Sequence, residues 1–141
     1  MLFALALLQG CSAYPRDIEG TSERIAQSHE LHVGYGKLAP PLRARAERFV
    51  QAVAATCDAR VVAEDGQSNE AMFALLDDNK LDLVMTEVAA DSPWLSEVAV
   101  IEPLARRQIG NRELGLSAVA RNGENRWIVR LESQVRAGGG A

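Results

Sequence analysis

The sequence predicts an α/β domain: a mostly parallel sheet of about five strands with helices flanking it. Three observations point there. Short apolar runs alternate along the chain with stretches whose apolar residues recur at helical spacing. The central run Leu81-Asp82-Leu83-Val84-Met85-Thr86 is nearly all apolar, as a strand covered on both faces should be. Glycine, proline and asparagine punctuate the joints between these segments.

Taken in order, residues 17–28 form a short helix, with Asp17 or Thr21 as its cap. Residues 31–36 (LHVGYG) alternate apolar with small or polar residues and stop at glycine, so they form the first strand. Pro40-Pro41 opens a helix. Its buried stripe is Leu42, Ala46, Phe49, Val50, Val53 and Cys57. Arg43, Arg45, Glu47, Arg48 and Gln51 fall off that stripe and form a solvated face. Residues 60–63 are the second strand, closed by Asp65-Gly66. Ser68 caps a helix over 69–78 that turns Met72, Leu75 and Leu76 inward, and Asn79-Lys80 ends it. Residues 81–86 are the third strand. Ser92-Pro93-Trp94 begins a short turn, and 98–101 the fourth strand. Gly110-Asn111 is a turn signal before a fifth strand over 114–120. Asn122 caps a last helix buried along Trp127, Ile128, Leu131 and Val135.

With 141 residues the chain makes one domain, large enough for a real core without staples. A net charge of −4 gives no electrostatic reason to expect nucleic acid. No P-loop, nucleophile elbow or His-Glu-x-x-His motif is present. His29 and His32 straddle a helix-to-strand boundary, so no shared metal site is expected. We therefore expect neither an enzyme, nor a cofactor, nor a metal. Cys57 falls on a buried helical stripe, which suits a structural thiol.

The first eleven residues stand apart. Met1 to Leu8 is an uncharged apolar run, too short to span a bilayer, ending in Leu8-Gln9-Gly10-Cys11. That ending resembles the lipobox of bacterial lipoproteins. The resemblance implies a signal peptide over 1–10, lipidation of Cys11, a tether over 11–16 and a lipid-anchored protein of the periplasm or cell envelope. The domain then covers 17–136, and 137–141 is a disordered glycine-rich tail.

The phrase 81–86, then Asp91-Ser92-Pro93-Trp94, then Val98 to Leu104 resembles the core of periplasmic solute-binding proteins of amino-acid-type transport systems. In that family one finds "Leu-Asp-Leu-Val", a Thr-Pro turn and "Val-Ala-Phe-Ser-x-Pro-Tyr". Thr21 to Ile25 with Leu31 to Gly34 is similar to the family's entry helix and "Leu-Arg-Val-Gly" strand. Pro40-Pro41 matches "Pro-Pro-Phe". Leu116 to Gly123 resembles the late "Ile-Ala-Val-Arg-Lys-Gly" strand. The resemblance implies the type II periplasmic-binding-protein fold, in which two lobes close on a ligand. Here Leu104 and Leu114 are only about ten residues apart, and even one βαβ unit needs about thirty. The chain is therefore expected to be a single three-layer lobe, with a hairpin through Gly110-Asn111 in place of the other.

Open α/β sheets place their sites at the carboxyl ends of the strands. The ligand- or partner-binding candidates there are Tyr35, Lys37, Thr86, Glu87, Asp91, Ser92 and Trp94. Each has a plain alternative as a loop residue, with Trp94 plugging the core. Family members that bind amino acids carry an arginine just after the Thr-Pro turn, which forks onto the substrate carboxylate. This chain has Trp94-Leu95 there, Glu87 where glycine is common and Leu42 for the aromatic. Two functions follow from the resemblance. The chain is either a membrane-anchored solute-binding protein serving a transport system, with a small polar solute, or a non-catalytic interaction module. In the second case a membrane transporter or other protein closes the half-site.

Overall fold

A computed structural model describes residues 14–138. The expected signal peptide, Cys11 and residues 139–141 lie outside the described residues. In chain order the elements are α1 (Thr21–Ser28), β1 (Glu30–Tyr35), α2 (Pro40–Thr56), β2 (Arg60–Asp65), α3 (Asn69–Asp77), β3 (Leu83–Ala89), a 3-10 turn (Pro93–Ser96), β4 (Val98–Val100), β5 (Ala105–Ile109), β6 (Arg112–Arg121) and α4 (Asn125–Gly138).

One six-stranded sheet runs in the order β2-β1-β3-β6-β4, and β5 also pairs with β6. β1 is parallel to β2 and β3, while β6 is antiparallel to β3, β4 and β5. The parallel half comes from helical crossovers, which return the chain to the same end of the sheet. The antiparallel half comes from the Gly110-Asn111 turn, where Gly110 takes φ 60° and β5 folds straight back as β6. That hairpin supplies the sixth strand, one more than the sequence suggested. Three of the four residues from Arg106 to Ile109 are polar, so β5 lacks the alternation that marks a half-buried strand.

Side chains alternate across the sheet into two cores. Leu31, Val33, Leu83, Met85 and Ala118 pack under α2 and α4, with Ile25 of α1. Val84, Val88, Val98 and Val119 pack under α3 through Met72, Phe73 and Leu76. The result is three layers, with the sheet in the middle. β3 is buried along nearly its whole length, as its apolar sequence requires. Cys57 is half-buried at the end of α2, against the first core.

Two helix starts differ from expectation. α1 begins at Thr21, after Gly20 in the left-handed region, and its free N–H groups find one near acceptor, the expected Asp17, and one distant acceptor, Glu124. Ser22 N donates to Asp17 Oδ2 at 2.8 Å, while Glu19 N and Thr21 N donate to the two oxygens of Glu124 at 2.7 and 2.8 Å. Asn122 does not cap α4: its amide donates to the Ser96 carbonyl, and Asp17 Oδ1 accepts from Trp127 N at 2.9 Å instead. One aspartate thus serves two helix starts and clamps residues 16–19 beside Gly123 to Asn125, where β6 ends. α4 runs to Gly138, two residues into the expected tail.

Candidate functional site

The carboxyl ends of β1, β2 and β3 meet along one edge, together with the starts of α2 and α3. Gly36 follows β1 directly, and its N–H bonds the Met85 carbonyl at 2.9 Å. A Cβ on Gly36 would sit 2.3 Å from Thr86 Oγ1, so glycine is what lets this loop cross the edge. Thr86 is buried and donates its hydroxyl to Asn69 Oδ1 at 2.9 Å, which ties β3 to the first turn of α3. Ser68 caps that turn by accepting from Ala71 N at 3.2 Å. Ser117, the register partner of Thr86 on β6, is buried, and its Oγ has no hydrogen-bond partner among the described residues.

On the α2 side of the same edge Tyr35 is buried at 3% exposure beneath the Arg43 guanidinium, whose Cζ lies 3.9 Å from the ring centroid. Burial pushes the Tyr35 hydroxyl up to about 12, against a smaller opposing pull from Arg43. Arg43 in turn pairs with Asp65 at the end of β2 and with Glu47 one turn along α2. Its proton is held more tightly than usual, chiefly by the hydrogen bond to Asp65. Further out, the Glu87 carboxylate receives Arg107 Nε and Nη2 at 2.5 and 2.6 Å, a two-pronged pair between β3 and β5. That bond raises the Arg107 pKa.

The remaining candidates lie on the loops that leave β1 and β3. Lys37 is exposed in the turn after Gly36. Asp91 is exposed and pairs with Arg112 at 3.0 Å, which lowers its pKa. Ser92 accepts from Trp94 N at 3.3 Å and so starts the 3-10 turn. Trp94 is half-buried against the core under α3 and packs edge-on against Phe73, ring centroids 5.5 Å apart. Ser92 and Trp94 bond each other; among the described residues no other two of the seven candidates share a hydrogen bond or ion pair. Sequence reasoning passed over Arg43, Glu47, Asp65, Asn69 and the Glu87–Arg107 pair. Asp65 and Asn69 were findable, since they end a strand and open a helix at the carboxyl edge. Arg43 and Glu47 look on the helical wheel like a solvated face; only the fold carries Tyr35 and Asp65 to them.

A groove of about 670 Å³ lies between α2 and α4, along Arg45, Phe49, Leu104 and Arg136. A smaller one of about 230 Å³ lies beside Trp94, Phe73 and Arg121. Neither of these two grooves is lined by Thr86 or Tyr35. Among the described residues no cluster of histidine, cysteine and acidic side chains could hold a metal ion.

No family model matches the chain, and no curated protein matches it. Solved structures do. One is a crystal structure of a point mutant of the arginine-bound form of domain 1 from TmArgBP: TM-score 0.72 at 14% identity, over 85% of this chain and 99% of that one. A second is the arginine-bound form of the same domain 1, with TM-score 0.69 at 15% identity, over 81% and 97%. At such identities the likeness is one of fold. The fold is that of a single lobe of a type II periplasmic-binding protein, and the chain is matched by a lobe standing alone.

Proposed function

We propose that this chain is a one-lobed solute-binding protein of the cell envelope, anchored through a lipidated Cys11 and serving a transport system, with no catalysis. The observation that supports it most is the lone domain 1 described as arginine-bound, nearly all of which overlies this chain. A single lobe of this shape can therefore be described with a small solute on it, although half a cleft buries less of a ligand than a closed one. The binding edge would be Gly36, Asn69, Thr86 and the Tyr35 corner. A second reading, docking on a membrane transporter without a solute, draws on the Glu87–Arg107 pair: Arg107 of β5 reaches across β6 to Glu87 of β3, and the two already satisfy each other.

Thermal unfolding of the purified chain against amino acids, polyamines and organic acids separates the two. A solute protein gives a rise in midpoint with one chemical class that grows with the logarithm of concentration, equivalent to about 2.7 kcal/mol of added stability at a hundredfold excess over Kd. Thr86→Val, which removes the edge hydroxyl, reduces that rise. A flat response across all classes, with a transporter subunit co-purifying, sinks solute binding in favour of docking.

A further inference from the structure

The Arg43 guanidinium is held on three sides. Tyr35 lies beneath it at 3.9 Å. Nη1 and Nη2 both donate to the Asp65 carboxylate, Nη2 to Oδ2 at 3.3 Å, and Nε donates to Glu47 Oε1 at 2.7 Å. An exposed arginine–glutamate pair one helical turn apart is ordinary surface decoration. This corner differs because a neighbouring strand adds a carboxylate for the fork and another adds a fixed aromatic platform. Two carboxylates face one guanidinium, and among the described residues neither Asp65 nor Glu47 has a second cationic partner. The corner therefore keeps a net negative charge even when Arg43 fills it. Arg43 itself keeps 29% of its side chain exposed and can leave by rotating its own torsions, with α2 intact.

We propose that Tyr35, Asp65 and Glu47 form a guanidinium-binding site that the chain's own Arg43 occupies, and that a small guanidinium-bearing solute takes its place. The inference rests on the solute-binding reading above and names its ligand class. A planar fork matches Asp65 and the ring face together, whereas an ammonium offers only a point charge.

The test is calorimetry of the purified full chain at constant ionic strength, with methylguanidinium, arginine and lysine as probes. Arg43→Ala empties the corner, and the Arg43→Ala, Asp65→Asn double variant removes the charge and turns one of the fork's two acceptor oxygens into a donor. The expected result is methylguanidinium binding at least about tenfold tighter in Arg43→Ala than in the native chain, arginine preferred over lysine, and loss of both in the double variant. Equal affinity in native and Arg43→Ala chains, undiminished binding in the double variant, or no preference over lysine would overturn it. Should Arg43→Ala lose its circular dichroism signature, Arg43→Gln takes its place. In the native chain the Arg43 Nε–H resonance must also move on adding methylguanidinium; a stationary resonance overturns displacement. A native chain stabilised by a solute without a guanidinium, while Arg43→Ala gains nothing, refutes this site and leaves solute binding standing.

Discussion

Tyr35 is the residue at which structure and chemistry are most tightly joined. Its ordinary pKa is 10.0, and burial carries it to about 12 in the folded chain. The folded form thus holds the phenolic proton more tightly than the unfolded form does. The stability linked to that proton is complete below pH 10 and is lost as pH rises towards 12. Tyr35→Phe should remove this share of alkaline destabilisation. Denaturation midpoints of the two chains, compared at both ends of that window, should show the native chain falling relative to the variant. Parallel curves would mean that the hydroxyl is as free as in water. The residue was visible in the sequence as a strand-end aromatic. Its guanidinium cover was not, because Arg43 lies eight positions on in a helix whose rotation only the packed core fixes.

At the scale of elements, strands and helices with strong periodicity were legible, and their joints were less so. The stripes of α2, α3 and α4 were readable because burial selects apolar residues at every turn; Ala46, Val50, Met72, Leu76, Trp127 and Leu131 are all buried. Leu75 and Ile128, read as buried, are only half-buried at the margins of their stripes. The cap of α1 was readable in part, since Asp17 accepts from Ser22 N–H five positions on. Its second acceptor, Glu124, and the Asp17 oxygen that serves α4 act across more than 100 residues, beyond any local signature. The hairpin through Gly110-Asn111 was legible from its turn, whereas β5 was not counted as a strand because its residues on the rim are mostly polar. The β1–α2 joint yields a sharp expectation. Gly36→Ala drives a methyl against Thr86 Oγ1 and forces that side chain off Asn69. It should destabilise the fold by about 1–3 kcal/mol, and Thr86→Ala in the same chain should recover part of the loss. Strictly additive effects in chemical denaturation would show that the two positions do not touch.

For the whole molecule, the single-lobe architecture was legible because the collinear order of motifs leaves no room for a second lobe between Leu104 and Leu114. Candidate site residues were less legible. Ser92 and Trp94 belong to a turn beside α3, and Asp91 to an exposed pair just past the end of β3, partners that only the packed fold assigns. Trp127 is where the parts of the lobe are joined. It has no exposed surface, its Nε1 donates to the Asp82 carbonyl at 2.8 Å, and its backbone N–H reaches Asp17. Trp127→Ala should lower global stability by about 3–5 kcal/mol, a large fraction of what a domain usually possesses. Urea unfolding followed by far-ultraviolet circular dichroism would show it; a midpoint within error of the native chain would mean that the core closes without the indole.

The clamp of residues 16–19 beside Gly123 to Asn125 has a consequence for orientation. The N-terminal segment is gripped at the base of the parallel strands, across the sheet's full height from Tyr35 and Thr86. Under the proposed lipidation at Cys11, the pull of a bilayer would reach the described chain at this heel and leave the Tyr35–Thr86 rim pointing out into the surrounding fluid. Cargo could then be met before it reaches the surface, and a carrier in the same bilayer would have to bend the tether or reach over the lobe to collect it.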